Sequence, residues 1–184
     1  MRITRTLLVG SAALLAAGLI AAPAAAAPTG DTDVTFEILA GTLDITVPAT
    51  ADLGTGSPDS AIEGQLGAVT VTDDRASDDA SWTATVTSTD FTTGTGTASE
   101  TILASEIDYW SGAATATTGN GTFTPGQANA GAAAPLDTTT PLTAFTHAGG
   151  TGNNSASWNP TLVVNVPLDN VAGVYTGTVT HSVA

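Results

Sequence analysis

Residues 162–183 read Leu-Val-Val-Asn-Val-Pro-Leu-Asp-Asn-Val-Ala-Gly-Val-Tyr-Thr-Gly-Thr-Val-Thr-His-Ser-Val, and this stretch decides the fold class. Leu162, Val164 and Val166 alternate, Pro167 to Gly173 supply turn residues, and Val174 to Val183 alternate again. Tyr175, Val179 and Val183 share one face of the second run. Alternation with a period of two on both sides of a turn is the pattern of half-buried strands. Tyr175 stands just inside the second run, after Asp169 and the turn. That is the setting of a tyrosine corner, in which the phenol bonds back to the preceding turn and fixes the connection between sheets.

Working outward, the same alternation recurs and no long amphipathic helix interrupts it. Val34, Phe36 and Ile38 predict a first strand, and Leu43, Ile45 and Val47 a second, joined at Ala40-Gly41 and ended by Pro48. Residues 49–65 read as a polar connection. Leu66 to Thr72 and Trp82 to Val86 predict an antiparallel hairpin whose tip carries Asp73, Asp74, Asp78 and Asp79. Ile107 to Trp110 predicts a short strand, and Pro141 to Thr146 a return to the sheet. Between them, residues 111–141 are rich in Gly, Ala, Thr and Asn and read as a low-complexity loop region holding an Asn120-Gly121 hairpin signal. Eight to ten short strands at this spacing predict an all-β chain, a single Ig-like sandwich with Greek-key connections.

The N-terminus has the layout of a cleaved export signal. Arg2 and Arg5 form a basic start, Leu7 to Ile20 a short apolar run, and Ala22 to Ala27 a small-residue flank, which places cleavage after Ala26. The apolar run is shorter than the ~20 residues a membrane span needs. Residues 1–26 are therefore expected to be a signal peptide and residues 27–184 one domain. Cysteine is absent, so no disulfide staples that domain, and a Gram-positive exported protein fits best. No sortase signal precedes the C-terminus and no apolar tail follows the last strand, so neither covalent anchoring nor a membrane span is expected.

Charge excludes one class of partner. The net charge is −14, and loss of Arg2 and Arg5 takes it to −16, leaving Arg75 and no lysine. Such a surface repels nucleic acid and anionic lipid, both of which need compensating cations.

Two stretches together resemble the WxL domain of Gram-positive surface proteins. The first is Leu66-Gly67-x-Val69-Thr70-Val71-x-Asp73-x-Arg75 followed by Trp82-Thr83-Ala84-x-Val86; the second is Tyr175-x-Gly177-x-Val179-Thr180-His181-Ser182-Val183. Ala84 stands where that family has leucine, and His181 occupies the tryptophan position of its second signature. The resemblance implies a β-rich module that attaches non-covalently to the cell wall through peptidoglycan. It implies an extracellular, wall-associated location and, as a partner, either a wall polymer or another surface protein.

Catalytic constellations are missing. Cysteine is absent, only His147 and His181 are available as imidazole bases, and neither a Gly-x-Ser-x-Gly elbow nor a zinc-binding His-Glu-x-x-His appears. No enzyme activity and no cofactor are expected. Trp82, Tyr109, Trp110 and Trp158 are the candidate binding residues, since flat rings stack on sugars. Trp82 alternates with Ala84 and Val86 and reads as a core tryptophan as well, and adjacent Tyr109 and Trp110 point to opposite sheet faces. The four aspartates of the acidic tip offer oxygens for calcium, though their spacing matches no EF-hand loop. Calcium bridging would let so acidic a domain approach an anionic wall.

Overall fold

A computed structural model describes residues 27–184; the expected signal peptide lies outside the described residues. Residues 27–36, at the end of a first unit, form no strand and are exposed. Residues 37–184 form the β domain.

In chain order its strands are β1 (Leu43–Thr46), β2 (Ser60–Gln65), β3 (Val69–Ser77), β4 (Trp82–Ser88), β5 (Phe91–Thr92), β6 (Thr101–Ile102) and β7 (Ile107–Trp110). Then follow β8 (Ala114–Thr118), β9 (Thr122–Pro125), β10 (Ala134–Pro135), β11 (Leu142–Ala148), β12 (Gly152–Trp158), β13 (Thr161–Val166) and β14 (Val179–Val183). Short 3-10 turns at Ala98–Glu100, Ala104–Glu106 and Ala130–Ala132 are the only helical pieces among the described residues.

Two four-stranded antiparallel sheets make the sandwich, in the orders β1-β3-β12-β8 and β14-β4-β11-β9. β1 lies beside β14 and β8 beside β9, so the orders run in step across the two layers. A third sheet, β10-β7-β13-β2, continues the first one past a bend. β2 runs into β3, β12 into β13 and β7 into β8, and Leu66 N–H donates to the Pro160 carbonyl across the bend at 2.9 Å. Gly67 and Gly112 sit at that bend with φ of +92° and +71°, the left-handed region that glycine enters without steric cost. All three sheets turn their apolar faces to one core. Val69, Val71, Ala156 and Trp158 meet Ala84, Val86, Ala144 and Phe145, and Ile107, Tyr109, Leu162 and Val164 close the end.

The all-β sandwich is as the alternation requires, while several local expectations give way. Val34, Phe36 and Ile38 form no strand, and the expected hairpin at Ala40-Gly41 is absent. Gly41 N–H instead donates to the Asp74 carbonyl, and Asp74 N–H to the Thr42 carbonyl, which extends β1 along β3. The polar connection over 49–65 contains β2. β3 and β4 belong to opposite sheets, not to one hairpin. Their apolar faces meet across the core, and alternation alone looks the same for strands paired side by side and strands facing each other. The 111–141 region is likewise built of strands, β8, β9 and β10. The turn at Asn120-Gly121 crosses between the sheets, because β8 pairs with β12 and β9 with β11.

Candidate functional site

Three of the four aromatic candidates lie in the core. Trp82 on β4 is 3% exposed, tilted against Phe145 and His147, and its indole N–H donates to Asn154 Oδ1 at 2.8 Å. Trp158 on β12 has no exposed surface and stacks on Phe145 with ring centroids 4.8 Å apart. Tyr109 on β7 is equally buried. Rings without an exposed face have nothing to stack a sugar on, so these three act in packing in this conformation. Trp110, the next residue on β7, points to the other sheet face and is half-buried. Its Nε1 is buried with no hydrogen-bond partner, which makes Trp110 the one ring of the four with polar capacity left over.

The core rings carry a polar chain between the layers. Trp158 Nε1–H donates to the Tyr109 hydroxyl at 3.2 Å, and that hydroxyl lies 3.1 Å from His181 Nε2 on β14. The Tyr109 hydroxyl keeps a proton and a second lone pair beside the one Trp158 takes, so the His181 tautomer sets which of the two donates. Burial disfavours the imidazolium and lowers the His181 pKa to about 4; burial also pushes the Tyr109 phenol up. His147 lies buried on β11. It bridges the carbonyls of Ala80 and Asn120 at 2.8 Å each and stacks on Phe123.

The acidic segment is solvated at Asp74, Asp78 and Asp79 but not at Asp73. Asp73 is fully buried on β3 and takes a two-pronged bond from Arg75, with Nε and Nη2 each at 2.8 Å. Arg75 backbone N–H and Asn154 Nδ2 also donate to it. The guanidinium beside it holds the Asp73 carboxyl below the usual carboxylate range. Asp74 accepts from Asn153, and Asp79 accepts from the Ser81 amide and hydroxyl. Each of these three carboxylates is turned to a different partner. Among the described residues no group of three or more His, Asp or Glu side chains is arranged to hold a metal ion.

A surface of another kind is formed where the 91–106 arm meets the 167–178 loop. Tyr175 donates its hydroxyl to the Val171 carbonyl at 2.8 Å, with the Ser99 carbonyl at 3.2 Å, which is the tyrosine corner read from the sequence. Asn170 Nδ2 donates to the carbonyls of Ser99 and Thr101, and Val171 N–H to Ser99. On the arm, the Glu100 carboxylate accepts from the amides and hydroxyls of both Thr95 and Thr97. Those donors, the Thr97 amide first, lower its pKa to about 2. The frame is tied down, yet its tips are apolar and bare: Leu103, Leu168, Val171 and Val174 are all exposed. Between arm and loop lies a shallow recess of about 320 Å³ lined by Leu103, Glu106, Pro167 and Asn170 among others. Sequence reasoning found Tyr175 and missed Asn170, Glu100 and the apolar tips. Their roles depend on two segments some seventy residues apart coming together, and no local pattern reports that.

No family model matches this chain, and no curated protein matches it.

Proposed function

We propose that this chain is an exported, non-enzymatic surface module that docks on another surface protein through the arm-and-loop lobe. The observation that carries the reading is the set of exposed Leu103, Leu168, Val171 and Val174 on a frame held by Tyr175, Asn170 and Glu100. Grouped apolar tips on a pre-ordered frame are what a protein interface uses, because little ordering entropy is lost on docking. The missing nucleophile constellations and the engagement of both histidines with structural partners support a non-enzymatic role. The export layout of the N-terminus and the WxL resemblance support an extracellular, wall-associated place.

A second reading, direct binding of a wall polymer, rests on Trp110, with its half-exposed ring and unpartnered indole nitrogen. Retention of the chain on secreting Gram-positive cells separates the two. Leu168→Asp with Val174→Asp is expected to release at least tenfold more protein into the medium, and Trp110→Ala to leave retention unchanged. Release by Trp110→Ala alone would replace the docking reading with the polymer one.

A further inference from the structure

We infer that residues 33–39 of one copy add as an antiparallel strand to the free edge of β14 in a second copy, so that the chain assembles with itself. This goes beyond the docking reading and uses a different surface. The donor is Asp33-Val34-Thr35-Phe36-Glu37-Ile38-Leu39, which alternates as a half-buried strand does, yet pairs with no strand among the described residues. Val34, Phe36 and Ile38 are 80%, 86% and 77% exposed. Three large apolar side chains on one face of an unpaired segment, about 23 Å long when extended, are a strand without a sheet.

The edges of the domain differ in what they accept. Folded proteins blunt open edges with charge or proline. The edge strands β1 and β2 expose Asp44 and Glu63, which would face the donor's own Asp33 and Glu37. β9 and β10 contain Pro125 and Pro135, which lack an N–H for the ladder. β8 is alanine and threonine, exposed at four of five positions, and offers no apolar surface. Of these edges, β14 combines freedom from charge and proline with a partly apolar face. It exposes Thr180 and Ser182 and half-buries Val179, His181 and Val183 beside Leu43 and Ile45 of β1.

The hydrogen-bond phase of β14 fixes the register. Thr178 and Ala184 bond to Thr89 and Thr83 on the β4 side, so Val179, His181 and Val183 direct their N–H and C=O groups to the open edge. Setting Val34, Phe36 and Ile38 opposite Val183, His181 and Val179 satisfies those groups and turns all six side chains to the same face. Phe36 then covers the half-exposed imidazole of His181.

A chain's own segment falls short of this position. Leu43 stands opposite Asp73, midway along β3, with Gly41 bonded to Asp74 on the side that leads to β4, and Val183 stands opposite Ala84 near the start of β4. β1 therefore begins at the Val183 end of β14, whereas Ile38 belongs at the Val179 end, about 13 Å further along. The three steps from Ile38 to Gly41 span at most about 11 Å, with the ~10 Å between layers still to cross.

The register places Glu37 opposite Thr180 as a non-hydrogen-bonded pair, with Cα atoms about 4.5 Å apart, within disulfide reach. The chain has no cysteine of its own. Purified Glu37→Cys and Thr180→Cys chains, mixed under mild oxidation, are expected to form a mixed dimer at least tenfold in excess over Asp31→Cys mixed with Thr180→Cys. A chain carrying both Glu37→Cys and Thr180→Cys is expected to give a ladder of multimers. Phe36→Asp, outside the folded core, is expected to abolish both products while the melting temperature stays unchanged. A double-cysteine chain that closes on itself as a monomer, or a mixed dimer no more abundant than the control, overturns the proposal.

Discussion

Arg75 holds the one carboxylate that the core has swallowed, and removing it isolates that charge. In Arg75→Met, Asp73 keeps its full burial and its bonds from Asn154 and the residue-75 backbone N–H but loses both prongs of the guanidinium. Breaking a fully buried ion pair costs about 3–5 kcal/mol. The Arg75 side chain is 34% exposed, so part of its attraction is screened by water, and about 2–3 kcal/mol is the expected loss at pH 7. Urea unfolding followed by tryptophan fluorescence measures it, since Trp82 and Trp158 are buried. The pH dependence adds a sign. In the wild type the Asp73 pKa is lowered by Arg75, so its contribution is present above the unfolded value near 3.8 and is lost as pH falls through the folded pKa. In Arg75→Met the guanidinium no longer opposes burial, so the Asp73 pKa rises relative to wild type. The folded variant then takes up its proton at higher pH, and the gap to wild type narrows as pH falls. Asp73→Asn with Arg75→Met is expected to be more stable at pH 7 than Arg75→Met alone. A loss below about 0.5 kcal/mol, with parallel pH profiles, refutes the reasoning.

Further expectations follow from the other polar contacts and from the core. His181 titrates near 4 in the folded chain against about 6.5 unfolded, so stability is full above pH 6.5, declines by about 2–3 kcal/mol as pH falls to 4, and levels off below. His181→Gln removes that slope in urea titrations, and imidazole NMR reads the folded value directly. Tyr175→Phe loses the bond to Val171 and leaves Asn170 short of one acceptor, for a cost of about 1–2 kcal/mol by urea unfolding. Trp158→Ala opens a cavity beside Phe145 and costs about 3–5 kcal/mol; a near-neutral result contradicts its placement in the core.

Much of the fold is legible in the sequence because most strands present one face to a single core. β7 falls on the expected residues, and β4, β11, β13 and β14 overlap theirs. Pairing is not legible in the same way. β3 and β4 read as a hairpin, since facing strands and neighbouring strands share the same alternation. The 111–141 region reads as a loop because its strands bury little apolar surface. They are held by hydroxyls and amides instead: Thr118 to Ser155, Thr115 to the Ser157 carbonyl, and Ser111 with the backbone of Gln127. Composition cannot show such bonds, because threonine and serine look alike in loops and in ladders. Asp73 reads as one of four aspartates at a hairpin tip because carboxylates are seldom buried, and its pairing with Arg75, two residues on, is visible only once β3 is in place. The expected strand over Val34 to Ile38 has the right alternation and no partner within the described fold, which is the reason a second copy is assigned to it. Of the candidate site, the aromatic residues were legible as aromatics but not as core, and the lobe was legible only at Tyr175.

The central claim is that a protein, not the wall glycan, holds this chain at the surface. Co-sedimentation of the purified chain with Gram-positive walls, intact or stripped of protein, with and without calcium, tests it most directly. Binding to intact walls that disappears on stripping, in calcium and in chelator alike, is the predicted result. Undiminished binding to stripped walls contradicts it.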